Sequence, residues 1–475
     1  MDDVCCAQEY SQESLHWATL HFGEAPLGDV RRSKRLVRVA AAMSENPRMS
    51  LPKQFPDWSD LTGTYRLLSN KKVNPQDILQ PHRALVRRQA AAHPVVLCVQ
   101  DDTLLDFTLR SGTQGLGKIG NGKGRGILQH GALAVLPDKK VLGVLDVKFH
   151  CVTEVKAGES RRESQSRWTT RDVWQEAAEA IGPWVEGSKL IHVGDRHADV
   201  FRFLHKASSL GHDFVVRAMH DRYVDQSTMH LWSKLEAQAV LGTRKVKLGA
   251  QRDKGNNLKR AAREAELTIR TAPVVIAPPT QDHRTAGAKP LELWAVYAKE
   301  ENPPAGVEPV EWVLLTSLDA STLERALLIL DYYTCRWVIE EWHRCEKEGC
   351  GIEQSQLDEA ADLERLAAIM TVLAVRLLQM RDLADSAEGE SPAALAAQVP
   401  QLYVQLVAGL AKVDPEKLTP RKFWHAIARR GGWLGRKHDH RPGWIVIWRG
   451  WSDLLQMVRG AELYQQLLQA RKKCV

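Results

Sequence analysis

The sequence predicts an α/β fold, and three observations predict it. Residues 95–153 divide into apolar runs at strand spacing, VVLCVQ, LLDFTL, ILQHGALAVL and VLGVLDVKFHCV, separated by glycine-rich or charged turns. A helical stretch at 171–185, the strand KLIHVGD, a helix at 197–208 and the strand HDFVVRAM follow, giving the order strands, helix, strand, helix, strand. Both ends of the chain, residues 8–75 and 396–475, carry helical periodicity alone.

A chain of 475 residues exceeds one ordinary core, so several domains are expected. Its 44% hydrophobic and 26% charged residues place it among folded globular proteins. The formal charge of +7 is mild for this length, so the placement of charge says more than its sum. The eight cysteines are scattered with no CxxC pair, which excludes the common zinc and disulfide frameworks and leaves reduced thiols. The opening MDDVCCAQEY has neither a basic n-region nor an apolar h-region, and no run of about 18 apolar residues occurs. A cytoplasmic protein without a membrane partner is expected.

Residues 1–75 read as a helical N-terminal domain. In LGDVRRSKRLVRVAAAM, Arg31, Arg32, Lys34, Arg35 and Arg38 fall within two turns, a basic face suited to DNA phosphates. Residues 76–370 read as the catalytic domain, whose element order is that of a ribonuclease H-like core. The sheet resumes at VEWVLLTS, so residues 219–310 form a β-rich insertion. That insertion holds the basic run TRKVKLGAQRDKGNNLKRAAREAE and the strand-like LTIRTAPVVIAP, and its length and position predict substrate contact. A long helix through residues 331–347 starts at a capping box of Ser321 and Glu324 and stops at Gly349 and Gly351. Residues 383–395 read as a linker, and residues 371–475 as a helical C-terminal domain. Trp424, Trp433, Trp444, Trp448 and Trp451 make that domain either a dense core or an interface.

The chemistry concentrates in three places. Within DYYTCRWVIEEWHRCEK, Tyr333, Arg336, Glu340 and Lys347 recur at offsets that an α-helix stacks on one face. Asp101 ends the run VVLCVQDD and Asp195 ends KLIHVGD, placing two further carboxylates at strand C-termini, where α/β sheets bind ligands. Three carboxylates among cationic neighbours suit two divalent metal ions and a phosphodiester. Each part alone has an ordinary explanation: a turn or helix cap for an aspartate, an ion-paired exposed face for the helix. Two other motifs fail. Gly115, Gly117 and Gly120 match G-x-G-x-x-G but lead into a strand, and Gly124 replaces the hydroxyl that a phosphate loop requires, so a glycine-rich hairpin is expected.

Taken together, Tyr333, Arg336, Glu340 and Lys347 resemble the YREK signature of the insertion sequence four family of DDE transposases. Asp101 in QDDTLLDF and Asp195 in VGDRHAD resemble that family's two aspartates. The similarity extends through LGDVRRSKRLVRVA, FVVRAMH with Arg217, EWVLLTS, LERLAAIMTVLAVRLLQMR, AIARRGGWLG and WRGWSDLL. Asp102 departs from the pattern, standing where the family usually has Thr, and His197 stands where a related protein has Glu. The resemblance implies a cut-and-paste DNA transposase in which Asp101, Asp195 and Glu340 are the catalytic residues and hold Mg²⁺, with Mn²⁺ able to substitute. Tyr333, Arg336, Lys347 and Arg217 would contact DNA beside the cut, Trp312 would stack on a flipped base, and Arg31, Arg32 and Arg35 would read the transposon ends. It further implies hairpin formation, strand transfer into target DNA, and a homodimer assembled on two ends through the C-terminal helices. A hydrolytic nuclease of the same fold, or a DNA-binding repressor that has lost its chemistry, would share much of this sequence.

Overall fold

The computed structural model describes residues 10–152, 158, 167–225, 229–249, 251–252, 258–384, 395, 399–436, 439 and 441–473. Most of the 383–395 stretch, the middle of the basic run in the insertion, and Cys5, Cys6 and Cys474 lie outside them.

The N-terminal module comprises α1 (Gln12–Phe22), α2 (Val30–Glu45), α3 (Leu51–Gln54), α4 (Trp58–Leu68) and α5 (Pro75–Ala90). Ser11, Asp29, Asp57 and Asn74 begin α1, α2, α4 and α5, each side chain accepting a first-turn N–H that has no partner within its helix.

The strands are β1 (Val95–Asp106), β2 (Gly117–Ile119), β3 (Gly124–Val135), β4 (Val141–His150), β5 (Lys189–Gly194), β6 (Asp213–Arg217), β7 (Tyr223–Val224), β8 (Met229–His230), β9 (Gly242–Leu248), β10 (Gln251–Arg252), β11 (Leu258–Arg260), β12 (Arg263–Ile276), β13 (Leu291–Lys299) and β14 (Glu311–Thr316). One ten-stranded sheet runs β2-β3-β1-β5-β6-β14-β13-β12-β9, with β4 also paired to β3. β3 pairs antiparallel with both β1 and β4, whereas β1, β5 and β6 are parallel. The crossovers carry α6 (Asp172–Ile181) and α7 (Phe201–Ser209), as parallel neighbours require.

Two expectations change here. β1 runs from VVLCVQ through the first three residues of LLDFTL without a break, so Asp101 lies in mid-strand and not at a strand end. The strand survives two adjacent aspartates because β3 still pairs it on one side, with Asp101 opposite Gly131 and Asp102 opposite His130. The insertion, for its part, does not interrupt the sheet but prolongs it. β14 returns antiparallel beside β6, and β13, β12 and β9 continue outward from it, while the short α8 (Leu231–Glu236) packs alongside.

The helix predicted over 331–347 is divided into α9 (Leu323–Thr334), α10 (Trp337–Arg344) and a π-turn, Cys345–Cys350. Thr334 Oγ1 and Cys335 Sγ both turn back onto the Asp331 carbonyl, and the backbone tightens to i−3 bonds from Cys335 to Ile339. α9 is capped by Thr322, one residue later than expected, since the Ser321 amide is taken by Asp319. The π-turn stops at Gly351, whose φ of 71° suits a residue without Cβ.

α11 (Ala360–Ala384) runs through the centre, buried along most of its length, and the boundary expected at residue 370 falls inside it. Its Arg376 reaches Glu13 of α1 at 2.5 Å, tying the N-terminal module to the middle of the molecule. The chain ends in α12 (Gln401–Ala411), α13 (Pro420–Arg430) and α14 (Trp444–Lys473). Here Trp424, Trp444, Trp448 and Trp451 are core residues, which decides against an exposed tryptophan interface. α13 and α14 approach so closely that a Cβ at Gly431 would meet the Val446 carbonyl oxygen, and one at Gly450 that of Ile427. Among the described residues no helix is long and apolar enough to cross a membrane.

Candidate active site and nucleic-acid interface

β1 and β5 pair from Val95↔Lys189 to Val99↔Val193. β5 then ends at Gly194 while β1 continues, so Asp101 and Asp195 stand level, two residues beyond the last paired rung. Gly194 is required: an added Cβ would come within 2.4 Å of Ala198 Cβ and 2.9 Å of the Trp174 ring. Asp195 then caps the 3₁₀ turn Arg196–Ala198, accepting from the His197 N–H at 2.8 Å. Asp101 Oδ1 accepts from the Asp102 N–H at 2.8 Å. Burial, then the facing Asp195 carboxylate, push the Asp101 carboxyl up to about 6.

α10 is held over this crevice by Trp342. The indole lies where a Cβ on Gly131, the residue opposite Asp101, would stand, and its Nε1–H donates to the Thr371 carbonyl of α11 at 3.0 Å. The helix is thereby pinned between sheet and central helix, and Arg336 at its start reaches β1 on one side and Glu340, one turn along the same helix, on the other. Arg336 Nη1 lies 3.4 Å from Asp101 Oδ2, and Nη2 lies 2.8 Å from Glu340 Oε1. Tyr333 is buried, which pushes its hydroxyl above the ordinary value, and Arg217 stands beside it while donating to the Glu311 carbonyl at 2.8 Å. Trp312 on β14 is half-buried and meets the Tyr333 ring edge-on at 5.6 Å between centroids.

Asp101, Asp195, Arg336, Glu340, Tyr333, Arg217 and Trp312 are therefore brought into one neighbourhood. Lys347 is directed elsewhere: Nζ donates to the Leu104 carbonyl at 2.6 Å and lies 3.3 Å from Glu353, bracing the far end of β1. The oxygen-only donors Asp101 and Asp195 suit a hard divalent cation, and an acid whose proton affinity is raised by burial and then by an adjacent anion is a position where a cation relieves repulsion. Glu340 is engaged by Arg336, and among the described residues no three carboxylate, imidazole or thiol groups form a ready metal cluster.

Beside the carboxylates opens a cleft of about 1670 Å³, walled by β9, the 304–312 segment, α9 and α10. Lys139, Arg196, Arg217, Lys245, Lys247 and Arg441 line it, together with Trp312 and Trp337. A cationic wall with two indoles is the composition that binds a polyanion carrying flat bases. Sequence reasoning missed Trp337, which is 54% exposed with the Arg336 guanidinium 4.3 Å from its ring centroid. A tryptophan next to Arg336 on the outer side of an amphipathic helix was the available signal.

The basic helix α2 behaves differently from its charge pattern. Arg35 and Arg38 both bind Asp60 of α4, Arg38 at 2.6 Å, and Asp60 is only 5% exposed. Arg32 Nη1 donates to the Leu27 carbonyl at 2.8 Å. Arg31, paired with Asp29 at 2.9 Å, is the fully solvent-facing member of the three arginines expected at DNA.

With this geometry in place, comparison with known families adds one finding: residues 14–73 match the transposase DNA-binding family. The matched span runs from within α1 to just past α4 and includes the basic helix α2. The match supports a transposase role for the chain, with DNA as its partner.

Proposed function

We propose that the chain is a DDE-type cut-and-paste transposase of the insertion sequence four kind, with Asp101, Asp195 and Glu340 as its catalytic carboxylates. The observation that carries this reading is the level placement of Asp101 on β1 and Asp195 at the end of the neighbouring parallel strand β5, with Arg336 joining Glu340 to Asp101. The strand order β4-β3-β1-β5-β6, three antiparallel strands followed by two parallel ones, supports a ribonuclease H-like core. In this reading β14 to β9 form a β-rich platform added to its far edge.

Asp101 and Asp195 would hold Mg²⁺ or Mn²⁺, with Glu340 joining them when DNA phosphate competes for the Arg336 guanidinium. Such ions supply an activated water or 3′-hydroxyl and stabilise the leaving oxygen of an in-line displacement. Arg336, Arg217 and the cationic cleft wall orient the scissile phosphate, Tyr333 fixes Arg217, and Trp312 offers a face to an extruded base during hairpin formation. Lys347 positions β1 in the free protein. The N-terminal module binds the transposon end, and Arg31 is its most accessible phosphate contact. Homodimerisation on paired ends is assigned to the distal part of α14, where Leu463, Tyr464, Leu467 and Leu468 are exposed along one side.

The test is strand transfer. Pre-cut duplex carrying the element's own terminal repeat, incubated with plasmid and Mg²⁺, should become covalently joined to it. Hydrolysis without joining would assign the chain to the nucleases, and binding without either product would make it a repressor.

A further inference from the structure

Beneath the two aspartates lies a chain of polar side chains that the proposed reaction does not use. Asp102 faces away from Asp101, as successive strand residues must, and its Oδ1 lies 2.6 Å from His130 Nδ1. His130 Nε2 lies 3.0 Å from Gln100 Oε1, Gln100 Nε2 lies 2.6 Å from His192 Nδ1, and His192 Nε2 lies 3.0 Å from His212 Nδ1. Gln100, His130, His192 and His212 are at most 3% exposed. The chain crosses β3, β1 and β5 and ends beside β6, so it links the strands that carry Asp101 and Asp195.

A buried polar chain of this length adds little stability over apolar packing of the same volume, so its value lies in geometry. Two contacts connect it to the carboxylates. The Asp102 N–H donates to Asp101 Oδ1, so the orientation of residue 102 sets that of the Asp101 carboxylate. The His130 ring meets Trp174 edge-on at 4.8 Å, and Trp174 is the indole against which Gly194 closes before Asp195.

We propose that the Asp102–His130–Gln100–His192 chain, keyed to Trp174, is a positioning device that sets the spacing and orientation of the Asp101/Asp195 pair, and that Asp102 is a positioning residue, not a ligand. The inference rests on the reading of Asp101 and Asp195 as a metal-binding pair. It accounts for an aspartate next to Asp101: its carboxylate is turned to the opposite face of the sheet and satisfied there.

The experiment titrates full-length protein with Mn²⁺ alone and reads affinity by calorimetry, with melting temperature and circular dichroism recorded for every variant. Asp102→Ala and His130→Ala should weaken Mn²⁺ binding about tenfold or more, the range seen when an outer partner of a metal ligand is lost. Asp102→Asn keeps an acceptor for the imidazole, and His130→Asn places an amide nitrogen where Nδ1 was, so both should bind Mn²⁺ close to wild type. That rescue separates positioning from bulk stability. Asp102→Asn losing Mn²⁺ as completely as Asp101→Asn would make Asp102 a ligand and overturn the proposal. Folded His130→Ala binding like wild type would also overturn it. Should His130→Ala not fold, Asp102→Ala, at the open end of the chain, tests the same link, and wild-type affinity there would equally overturn the proposal. Absence of Mn²⁺ binding by the wild type, or unchanged binding by Asp101→Asn, would instead refute the metal-site reading itself.

Discussion

Replacing Asp101 with Asn should stabilise the protein in metal-free buffer while removing its proposed chemistry. Burial and the facing Asp195 carboxylate raise the Asp101 carboxyl from 3.8 to about 6. The native state therefore keeps a proton that the unfolded chain has released between those values, and stability falls as pH rises through that window. At about 1.4 kcal/mol per tenfold change in proton affinity, the ionised group costs the fold about 3 kcal/mol above pH 6. Asn has the same shape, can still accept the Asp102 N–H, and carries no charge. In EDTA-containing buffer Asp101→Asn should melt a few degrees above wild type at pH 8, with the difference vanishing near pH 4. Mg²⁺ should narrow the gap at pH 8 by stabilising only the wild type. A variant no more stable than wild type at pH 8, or a gain independent of pH, would refute the claim that Asp101 is held in an unfavourable ionised state.

Glu346 gives a second case of the same sign: burial pushes its carboxyl up to about 8, so Glu346→Gln should raise the melting temperature at pH 8 and leave it unchanged near pH 4. In the N-terminal module, Arg31→Ala should weaken DNA binding and lower the salt slope by about one without moving the melting temperature, as read by gel shift at several ionic strengths. Arg35→Ala should instead destabilise by about 1–3 kcal/mol, because Asp60 loses a charged partner, and equal melting temperatures would contradict that role. In the C-terminal helices, Trp451→Ala should cost about 3–5 kcal/mol as a core truncation. Leu463→Glu with Leu467→Glu should leave stability intact and abolish paired-end complexes; persistence of those complexes in native gels would move the dimer interface elsewhere.

The alternation of apolar runs made the order of strands and helices legible, because each core strand buries a continuous face. What escaped the sequence were features set by neighbours. Asp101 and Asp102 look like the end of a strand, yet β3 supplies partners for both and β1 runs on to Asp106. The insertion looks like an interruption because nothing local says that β14 will return antiparallel beside β6. Asp195 stands just past a strand end and caps the next turn, where a glycine before an aspartate after an apolar run puts it. Arg35 and Arg38 could be read as a DNA-facing pair only until the fold brought Asp60 between them. The Lys347 spacing assumed a uniform helix, whereas the tightened turn at Cys335 and the π-turn after Arg344 redirect it to Leu104.

The central claim is that Asp101, Asp195 and Glu340 act as one site on DNA. Alanine substitution of each, assayed in parallel by gel shift and by Mg²⁺-dependent cleavage of a labelled duplex carrying the element's terminal repeat, tests it most directly. The account predicts that all three variants bind the end as the wild type does and cut none of it. Cleavage at the wild-type rate by any one of them would contradict it.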